Sequence, residues 1–248
     1  MKIEVLGACA SVCFLLDGEI LIEGGIPGFI LCPEKLAGIR WVLITHAHFD
    51  HIDGLPMLAE SLYGVSDRPL MIAGVAPVID AIHTHLFNEV LWPDFSKIRN
   101  PAGHPTVVFH PLEEGRANPI GRYRITPIHV NHIVPTVGYL IEDGDSAFVI
   151  SGDTYATDRI WQMASKTPNL KAALIECTFS NQAKELAEVS RHLTPELVRA
   201  EFRKLLNPSL PLYLYHMKPN HLDRIREEHA RYRDGGILLE DGMTIVVS

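Results

Sequence analysis

The sequence lacks any apolar run long enough to cross a membrane, and its first residues lack the character of a secretory signal. A membrane-spanning helix needs about 20 consecutive apolar residues, and no stretch of the 248-residue chain approaches that length. Glu4, Asp17, Glu19 and Glu23 interrupt the apolar residues at the start of the chain, which argues against a secretory signal. By default we expect a cytoplasmic location and no membrane partner.

The chain also has few cysteines and no excess of positive charge. The four cysteines form neither a disulfide framework nor the paired CxxC pattern of a zinc-binding domain, and we interpret them as reduced thiols. The formal net charge is −8 at pH 7. This charge disfavours non-specific attraction to nucleic acid or to an anionic membrane, so nucleic acid is not the expected partner.

What is present is the composition of an ordinary folded protein, with 47% hydrophobic and 21% charged residues. Length alone permits one large α/β domain or two small ones. No linker, low-complexity segment or close internal repeat divides the chain. We therefore expect a single domain over residues 1–248.

Short alternating or apolar runs predict strands first, then strands alternating with helices, and then the same order again. The predicted strands are 2–6, 13–16, 19–22, 41–45, 71–73, 122–128, 136–141, 146–150, 172–175 and 211–215, with 237–239 and 243–247 as a closing pair. Helical patterns begin at Gly54 and cover 76–86, 195–206 and 222–230. Residues 93–121 are rich in Pro and Gly and receive no assignment. This order predicts two mixed sheets with helices outside, and not one doubly wound parallel sheet.

The segment His46-Ala47-His48-Phe49-Asp50-His51 places three imidazoles and a carboxylate in six residues, directly after a buried-strand pattern. Imidazole nitrogen suits zinc and similar cations. In an extended segment His46 and His48 point to the same side and can share one ion, while Asp50 and His51 turn toward a second. The end of a buried strand is a common ligand site in α/β proteins. A histidine-rich surface loop is the alternative, which the strand context disfavours.

One segment cannot complete a coordination sphere, and residues elsewhere in the chain are candidates for the remaining ligands. Asp153 directly follows a predicted strand and is placed to bridge two ions, although alone it is explained more simply as a turn residue. His132 competes with His129, three residues earlier. His216 also follows a predicted strand, where a structural histidine would explain it about as well.

Together, the histidine cluster, a following histidine, the Gly152-Asp153-Thr154 segment and a late histidine resemble the metallo-β-lactamase superfamily over essentially the whole chain. The resemblance implies an αββα sandwich with two metals in a cleft at the sheet edges. Further segments resemble class II 3′,5′-cyclic nucleotide phosphodiesterases: Thr45–Pro56, Leu86–Asn88, Trp92–Phe95, Gly138–Ile141, Ile175–Phe179, His192–Pro195 and His216–Pro219. The last two are the more discriminating, because the related tRNA 3′-end processing ribonucleases end their last ligand motif differently.

Carried over to this chain, the resemblance implies two groups of metal ligands and a catalytic pair. The first ion would be held by His46, His48 and His132, and the second by Asp50, His51 and His216, with Asp153 bridging. His132 is preferred to His129 because its spacing to Gly138-Tyr139 matches the family. Glu176 and His192 match a Glu–His pair near the leaving group, so the predicted catalytic residues are Asp50, His192 and Glu176.

The sequence departs from the phosphodiesterase pattern at two positions. Phe49 stands where the family usually has Leu, beside the ligands. Glu23-Gly24-Gly25 stands where the family usually has Asp-x-Gly at the end of the first hairpin. In the family, the Asp at this position contacts the metal ligands without binding metal itself. The longer Glu23 side chain therefore makes this supporting contact an open question but leaves the predicted ligands unchanged.

The predicted activity is hydrolysis of a 3′,5′-cyclic nucleotide, cAMP or cGMP, to the 5′-nucleotide. A hydroxide bridging two divalent ions would attack phosphorus, and His192, oriented by Glu176, would protonate the departing 3′ oxygen. Zinc is the expected metal, with manganese or iron as alternatives. The rival functions are a tRNase Z-like ribonuclease, another hydrolase of this fold acting on a lactone or thioester, and a metal-binding protein without catalysis. The oligomeric state stays open, with a homodimer as the common case.

Overall fold

A computed structural model describes residues 1–25, 31–232 and 236–248. Its strands are β1 (Lys2–Ala8), β2 (Val12–Leu16), β3 (Ile20–Ile22), β4 (Trp41–Leu43), β5 (Leu70–Val75), β6 (Val107–Leu112), β7 (Asn118–Ile120), β8 (Tyr123–His129), β9 (Val137–Asp143), β10 (Ser146–Ile150), β11 (Leu170–Glu176), β12 (Leu212–Tyr215), β13 (Ile237–Leu238) and β14 (Thr244–Val246). Its helices are α1 (Pro33–Gly38), α2 (Phe49–Ile52), α3 (Leu55–Leu62), α4 (Ala76–His85), α5 (Arg159–Ala164), α6 (Lys184–Ser190), α7 (Pro195–Phe202) and α8 (Leu222–His229).

The described strands form two mixed sheets of seven. The first has the order β14-β1-β2-β3-β4-β5-β6, and the second has the order β13-β12-β11-β10-β9-β8-β7. In the first sheet the pairs from β14 to β3 are antiparallel and those from β3 to β6 are parallel. The second sheet repeats this division, with parallel pairs from β13 to β10 and antiparallel pairs from β10 to β7.

Alternating side chains place one core between the sheets and another between the second sheet and its helices. In β10, Phe148 and Ile150 join a buried cluster that also contains Phe14 of the first sheet. Val149, on the opposite face of the same strand, packs in a second cluster with Trp161 of α5 and residues of α7 and α8. Because both faces of this strand are covered, its sequence is continuously apolar. The predicted αββα arrangement of two mixed sheets with helices outside is confirmed.

Local signals in the sequence explain several element boundaries. The Glu142-Asp143-Gly144-Asp145 turn joins β9 to β10 as an antiparallel pair, with Gly144 at a φ of 51° that favours glycine. Thr194 precedes α7 and its hydroxyl accepts a hydrogen bond from the Leu197 amide at 3.5 Å. Pro195 then occupies the first helical turn, where its missing N–H costs nothing.

The structure corrects the predicted end of the chain. Residues 237–239 and 243–247 were expected to pair with each other, but β13 pairs with β12 and β14 pairs with β1 of the other sheet. The unassigned stretch 93–121 contains β6 and β7, both at sheet edges. The helical pattern of 195–206 ends at Phe202 and continues as a 3₁₀ turn over Arg203–Leu205.

The sequence does not predict helices α1, α2, α5 and α6. Each is short, with six, four, six and seven residues, so few apolar positions mark its period. Within the described part of the chain, no helix has both the length and the apolar character that a bilayer crossing requires.

Candidate metal centre

The predicted donor residues converge from the ends of four different strands. β4 ends at Leu43, and the chain runs on to His48, whose extended backbone precedes α2. Asp50 and His51 lie in α2, with His51 fully buried. His132 lies three residues beyond β8, Asp153 three residues beyond β10, and His216 directly follows β12. The ends of these strands therefore meet along one edge of the sandwich.

His46, His48 and His132 form one cluster. His48 Nδ1 lies 3.1 Å from His46 Nε2 and 3.2 Å from His132 Nε2. These nitrogens and a carboxylate oxygen of Asp153 all lie within 4.8 Å of one another. His129, the competing candidate, is exposed at the end of β8 and belongs to no cluster of potential ligands among the described residues.

Asp50, His51 and His216 form a second cluster. His216 Nε2 lies 3.1 Å from Asp50 Oδ2 and 3.3 Å from His51 Nε2. Asp153 stands between the two clusters, because its Oδ2 lies 3.5 Å from His46 Nε2 and 3.4 Å from His51 Nε2. The structure thus brings together all seven residues that the resemblance implied as metal ligands.

The two clusters fit divalent cations on the chemistry of their donors. The fully buried Asp153 has an oxygen, Oδ1, without a hydrogen-bond partner among the described residues, and a buried carboxylate oxygen left in this way is costly unless something binds it. Burial and the nearby His51 ring lower the pKa of His46 well below its ordinary value, and burial lowers the pKa of His132 to about 4. Neutral imidazoles present lone pairs, which is the form that binds metal.

The surroundings shift the pKa values of two members of the second cluster in opposite directions. Burial opposes ionisation of Asp50, but the hydrogen bonds from His216 and Lys218 outweigh it and hold the pKa of this carboxyl well below its ordinary value. Burial likewise opposes a charge on His51, yet the carboxylates of Asp153 and Glu23 raise its pKa. His51 Nδ1 lies 3.4 Å from Glu23 Oε1, and its Nε2 lies 3.4 Å from Asp153 Oδ2, so the ring stands between the two carboxylates.

Glu23 reaches the site despite its extra methylene. Its Oε1 accepts a hydrogen bond from Thr45 Oγ1 at 2.5 Å, and its Oε2 accepts one from the Thr45 amide at 3.3 Å. Thr45 Oγ1 in turn accepts from His46 Nδ1 at 2.9 Å. The longer side chain therefore keeps the supporting contact: Glu23 holds His46 through Thr45 and faces His51 directly.

His192 and Glu176 form a buried pair beside the clusters. His192 Nδ1 donates to Glu176 Oε1 at 2.9 Å and lies 3.9 Å from Asp153 Oδ2. Glu176, the last residue of β11, also accepts from the amides of Thr154 and Leu193. Burial lowers the pKa of His192, but the charge and hydrogen bond of Glu176 outweigh it and the net pKa is raised.

Sequence reasoning missed three side chains that contact the clusters. Two of them are Thr45 and Thr178, which lie inside the family-like segments. The Thr45 hydroxyl bonds His46 Nδ1, and the Thr178 hydroxyl bonds His216 Nδ1. Lys218 Nζ lies 2.7 Å from Asp50 Oδ2. The signal that points to them is adjacency, because each lies within two residues of His46, Glu176 or His216.

Residues 29–217 match the model of a family described as the beta-lactamase superfamily domain. The chain belongs to the beta-lactamase superfamily. A probable 3′,5′-cyclic-nucleotide phosphodiesterase of Yersinia pestis is 26% identical over 205 residues, which are 73% of this chain and 58% of that protein. The crystal structure of unliganded yeast PDE1 superposes with a TM-score of 0.79 at 20% identity, covering 98% of both chains. The predicted resemblance is confirmed.

A ribonuclease Z of Staphylococcus carnosus is also similar, being 31% identical over 110 residues, which are 44% of this chain and 33% of that protein. The chain spans about half the length of the curated phosphodiesterases that match most of it. Membership of the superfamily, together with the His and Asp clusters, indicates a site for divalent metal.

Proposed function

We propose that this chain is a metal-dependent phosphodiesterase that hydrolyses 3′,5′-cyclic nucleotides, with residues 1–248 acting as one domain. One observation carries the proposal: two donor clusters share Asp153, and a histidine held by a buried carboxylate lies beside them. The clusters alone would suit many hydrolases. The His192–Glu176 pair adds a positioned proton donor, which a poor leaving group requires.

In this proposal each cluster binds one divalent ion, most simply zinc because imidazole predominates. The first ion would be held by His46, His48 and His132 and the second by Asp50, His51 and His216, with Asp153 placed to serve both. When bound, the two ions offset charge on the phosphoryl oxygens and lower the pKa of the attacking water. Lys218 supports the second site by holding the Asp50 carboxylate at 2.7 Å.

The leaving group determines what the protein must add. Ring opening of a 3′,5′-cyclic nucleotide releases a 3′ alkoxide, which needs a proton as the P–O bond breaks. His192 Nδ1 is engaged by Glu176 at 2.9 Å, so Nε2 is the nitrogen left to deliver that proton. Burial lowers the pKa of His192, but Glu176 outweighs it, and the raised pKa favours the protonated imidazole that a proton donor needs. His192 then returns to its cationic form by taking a proton from solvent.

The names of the relatives support a cyclic nucleotide as the substrate, but one of them also supports the rival ribonuclease function. The similar Yersinia pestis protein is named for a cyclic nucleotide, whereas the similar Staphylococcus carnosus protein is named as a ribonuclease. The net charge of −8 favours the small substrate over RNA, because a long polyanion would meet a repulsive field. The cytoplasmic location and the homodimer stay predictions from the sequence.

A substrate panel tests the proposal directly. Purified protein of known metal content is assayed with cAMP, cGMP, bis-p-nitrophenyl phosphate, a tRNA precursor, a lactone and a thioester. We expect turnover of the cyclic nucleotides, its loss on chelation and its return on adding zinc, manganese or iron. Cleavage of the tRNA precursor without cyclic nucleotide turnover would assign the ribonuclease function, and cleavage of only the lactone or thioester would overturn phosphodiester hydrolysis altogether.

A further inference from the structure

We propose that the hydroxyl of Thr178 is a positioning group that fixes the ring orientation of His216 and His192 together. The inference rests on the proposed function, in which His216 binds metal and His192 donates a proton. Thr178 lies two residues beyond the end of β11 and is fully buried. Its Oγ1 lies 2.8 Å from His216 Nδ1 and 3.1 Å from His192 Nδ1.

The backbone holds the hydroxyl in place from both sides. The Thr178 amide donates to Glu176 Oε2 at 3.0 Å, and the Thr178 carbonyl accepts from the Lys218 amide at 3.2 Å. Thr178 therefore joins the end of β11 to the chain that follows β12. Any displacement of Thr178 would therefore change the distances from its hydroxyl to both histidines.

The hydrogen bonds of the hydroxyl determine where the ring protons lie. A threonine hydroxyl has one donor and two acceptor sites. Thr178 Oγ1 donates to Glu176 Oε2 at 2.8 Å, since a carboxylate oxygen accepts. Both lone pairs then remain for ring N–H groups, so His216 donates through Nδ1. His192 shares its Nδ1–H between Thr178 and Glu176 Oε1.

With Nδ1 protonated, the Nε2 atoms carry the proposed chemistry. His216 Nε2 lies 3.1 Å from Asp50 Oδ2 and 3.3 Å from His51 Nε2, so this is the nitrogen through which His216 would bind an ion. His192 Nε2 is left to face the substrate. The two rings lie nearly parallel, with centroids 5.5 Å apart and an interplanar angle of 26°. A single hydroxyl thus contacts the Nδ1 atoms of a proposed metal ligand and of the proposed proton donor.

The other cluster shows what is particular to Thr178. Thr45 Oγ1 donates to Glu23 and accepts from His46, which is the same carboxylate–hydroxyl–imidazole arrangement. It serves one histidine, whereas Thr178 serves two. Loss of Thr178 should therefore affect metal binding and proton donation in a single substitution.

The test compares Thr178→Val, which keeps the side-chain shape but removes the hydroxyl, with Thr178→Ser, which restores it. Thr106→Val is the matched control, because Thr106 is also buried and its hydroxyl donates to the Ile98 carbonyl, outside both clusters. Protein labelled with ¹⁵N-histidine reports the tautomer of each ring by its nitrogen shifts. Metal affinity is measured with zinc alone, and kcat and KM with cAMP.

We expect His216 to be Nδ1-protonated in the wild type and to populate both tautomers in Thr178→Val, whereas the His192 Nδ1–H keeps its hydrogen bond to Glu176 in both proteins. Metal affinity and kcat should each fall about 10–100-fold, the usual effect of removing a partner of a metal ligand, with KM little changed. Thr178→Ser should restore tautomers, affinity and kcat. Thr106→Val should match the wild type in all of them.

The inference would be overturned if Thr178→Val kept the wild-type tautomers and zinc affinity, or if Thr178→Ser lost as much as Thr178→Val. The tautomer and zinc measurements do not depend on cyclic nucleotide turnover. If the wild type failed to hydrolyse cyclic nucleotides but these two readouts behaved as expected, the proposed substrate would be wrong and the positioning by Thr178 would stand.

Discussion

Removing His192 provides the sharpest test of its role as proton donor. The perturbation is His192→Ala, assayed on two phosphodiesters that differ in how much their leaving group needs a proton. Cyclic AMP releases an alkoxide, whereas bis-p-nitrophenyl phosphate releases a phenolate that is stable at neutral pH. If His192 supplies a proton, its loss must slow the first substrate far more than the second.

The structure indicates how large the effect should be. His192 is 8% exposed and its Nδ1 is held by Glu176 at 2.9 Å, so its orientation is fixed and solvent has little access to replace it. A positioned proton donor typically contributes about 10²–10⁴-fold, or about 3–5 kcal/mol of barrier at 1.36 kcal/mol per factor of ten. We expect a loss of kcat in this range on cyclic AMP and a much smaller loss on the p-nitrophenyl ester.

Metal analysis accompanies both assays, because His192 lies close to Asp153 and a lost metal would imitate a lost acid. His221→Ala is the control, since His221 also contacts the Phe179 ring but belongs to neither donor cluster. It should retain activity on both substrates. Equal losses on the two substrates in His192→Ala, with full metal content, would refute the proton-donor role.

Three further substitutions test the surroundings of the site and the fold. Asp153→Asn should strip both clusters of metal on dialysis, because one carboxylate oxygen lies within 3.5 Å of donors in each; full metal content afterwards would contradict bridging. Glu23→Asp withdraws the carboxylate by about one C–C bond, 1.5 Å, from Thr45 and His51, so zinc affinity should fall about 10–100-fold by calorimetry, and an unchanged affinity would show that Glu23 supports neither histidine. Asp17→Asn should lower the free energy of unfolding at pH 7 by about 1–3 kcal/mol, because Asp17 accepts from the Lys2 amide and from Tyr123 Oη. Burial raises the pKa of Asp17, but these bonds and Arg122 lower it below its ordinary value of 3.8. The folded state therefore binds fewer protons, and the difference from wild type in urea unfolding should hold above pH 3.8 and shrink as pH falls through the folded pKa; a difference independent of pH would contradict the charge-based explanation.

Most of the candidate ligands could be picked out because they follow predicted strands, although the full set needed the family resemblance. The His46–His51 segment follows an apolar strand, and Asp153 and His216 each come just after another. Strand ends at one edge of a sandwich are brought together by the topology, whatever the details of packing. Choosing His132 over His129 needed the family resemblance, since spacing alone left both open.

The supporting hydroxyls could not be predicted in this way. Thr45 and Thr178 act through contacts with residues from other strands, and nothing in their own neighbourhoods distinguishes them from ordinary buried threonines. Their roles depend on the approach of Glu23 to β4 and of the chain after β12 to β11. Such contacts are properties of the assembled sheets.

The two missed strands, β6 and β7, have a simple physical explanation. Both are edge strands, and they carry Pro111 and Pro119. Proline is tolerated at an edge because its missing N–H can face away from the ladder. Charged or polar neighbours also remove the apolar alternation that marks a central strand. The prediction that β13 and β14 pair is wrong for a different reason. The two strands are close in sequence but lie in different sheets.

Because the strands are divided between two sheets, each half of the chain supplies only part of each donor cluster. β1 to β6 lie in the first sheet and β7 to β13 in the second, with β14 returning to pair with β1. Each donor cluster draws on both halves: His132 completes one and His216 the other. A cut between β6 and β7 would divide both of these clusters, since His132 and His216 lie in the second fragment and their partners His46, His48, Asp50 and His51 in the first. In the proposed metal-bound protein, metal binding and the packing of the two sheets would therefore be linked equilibria.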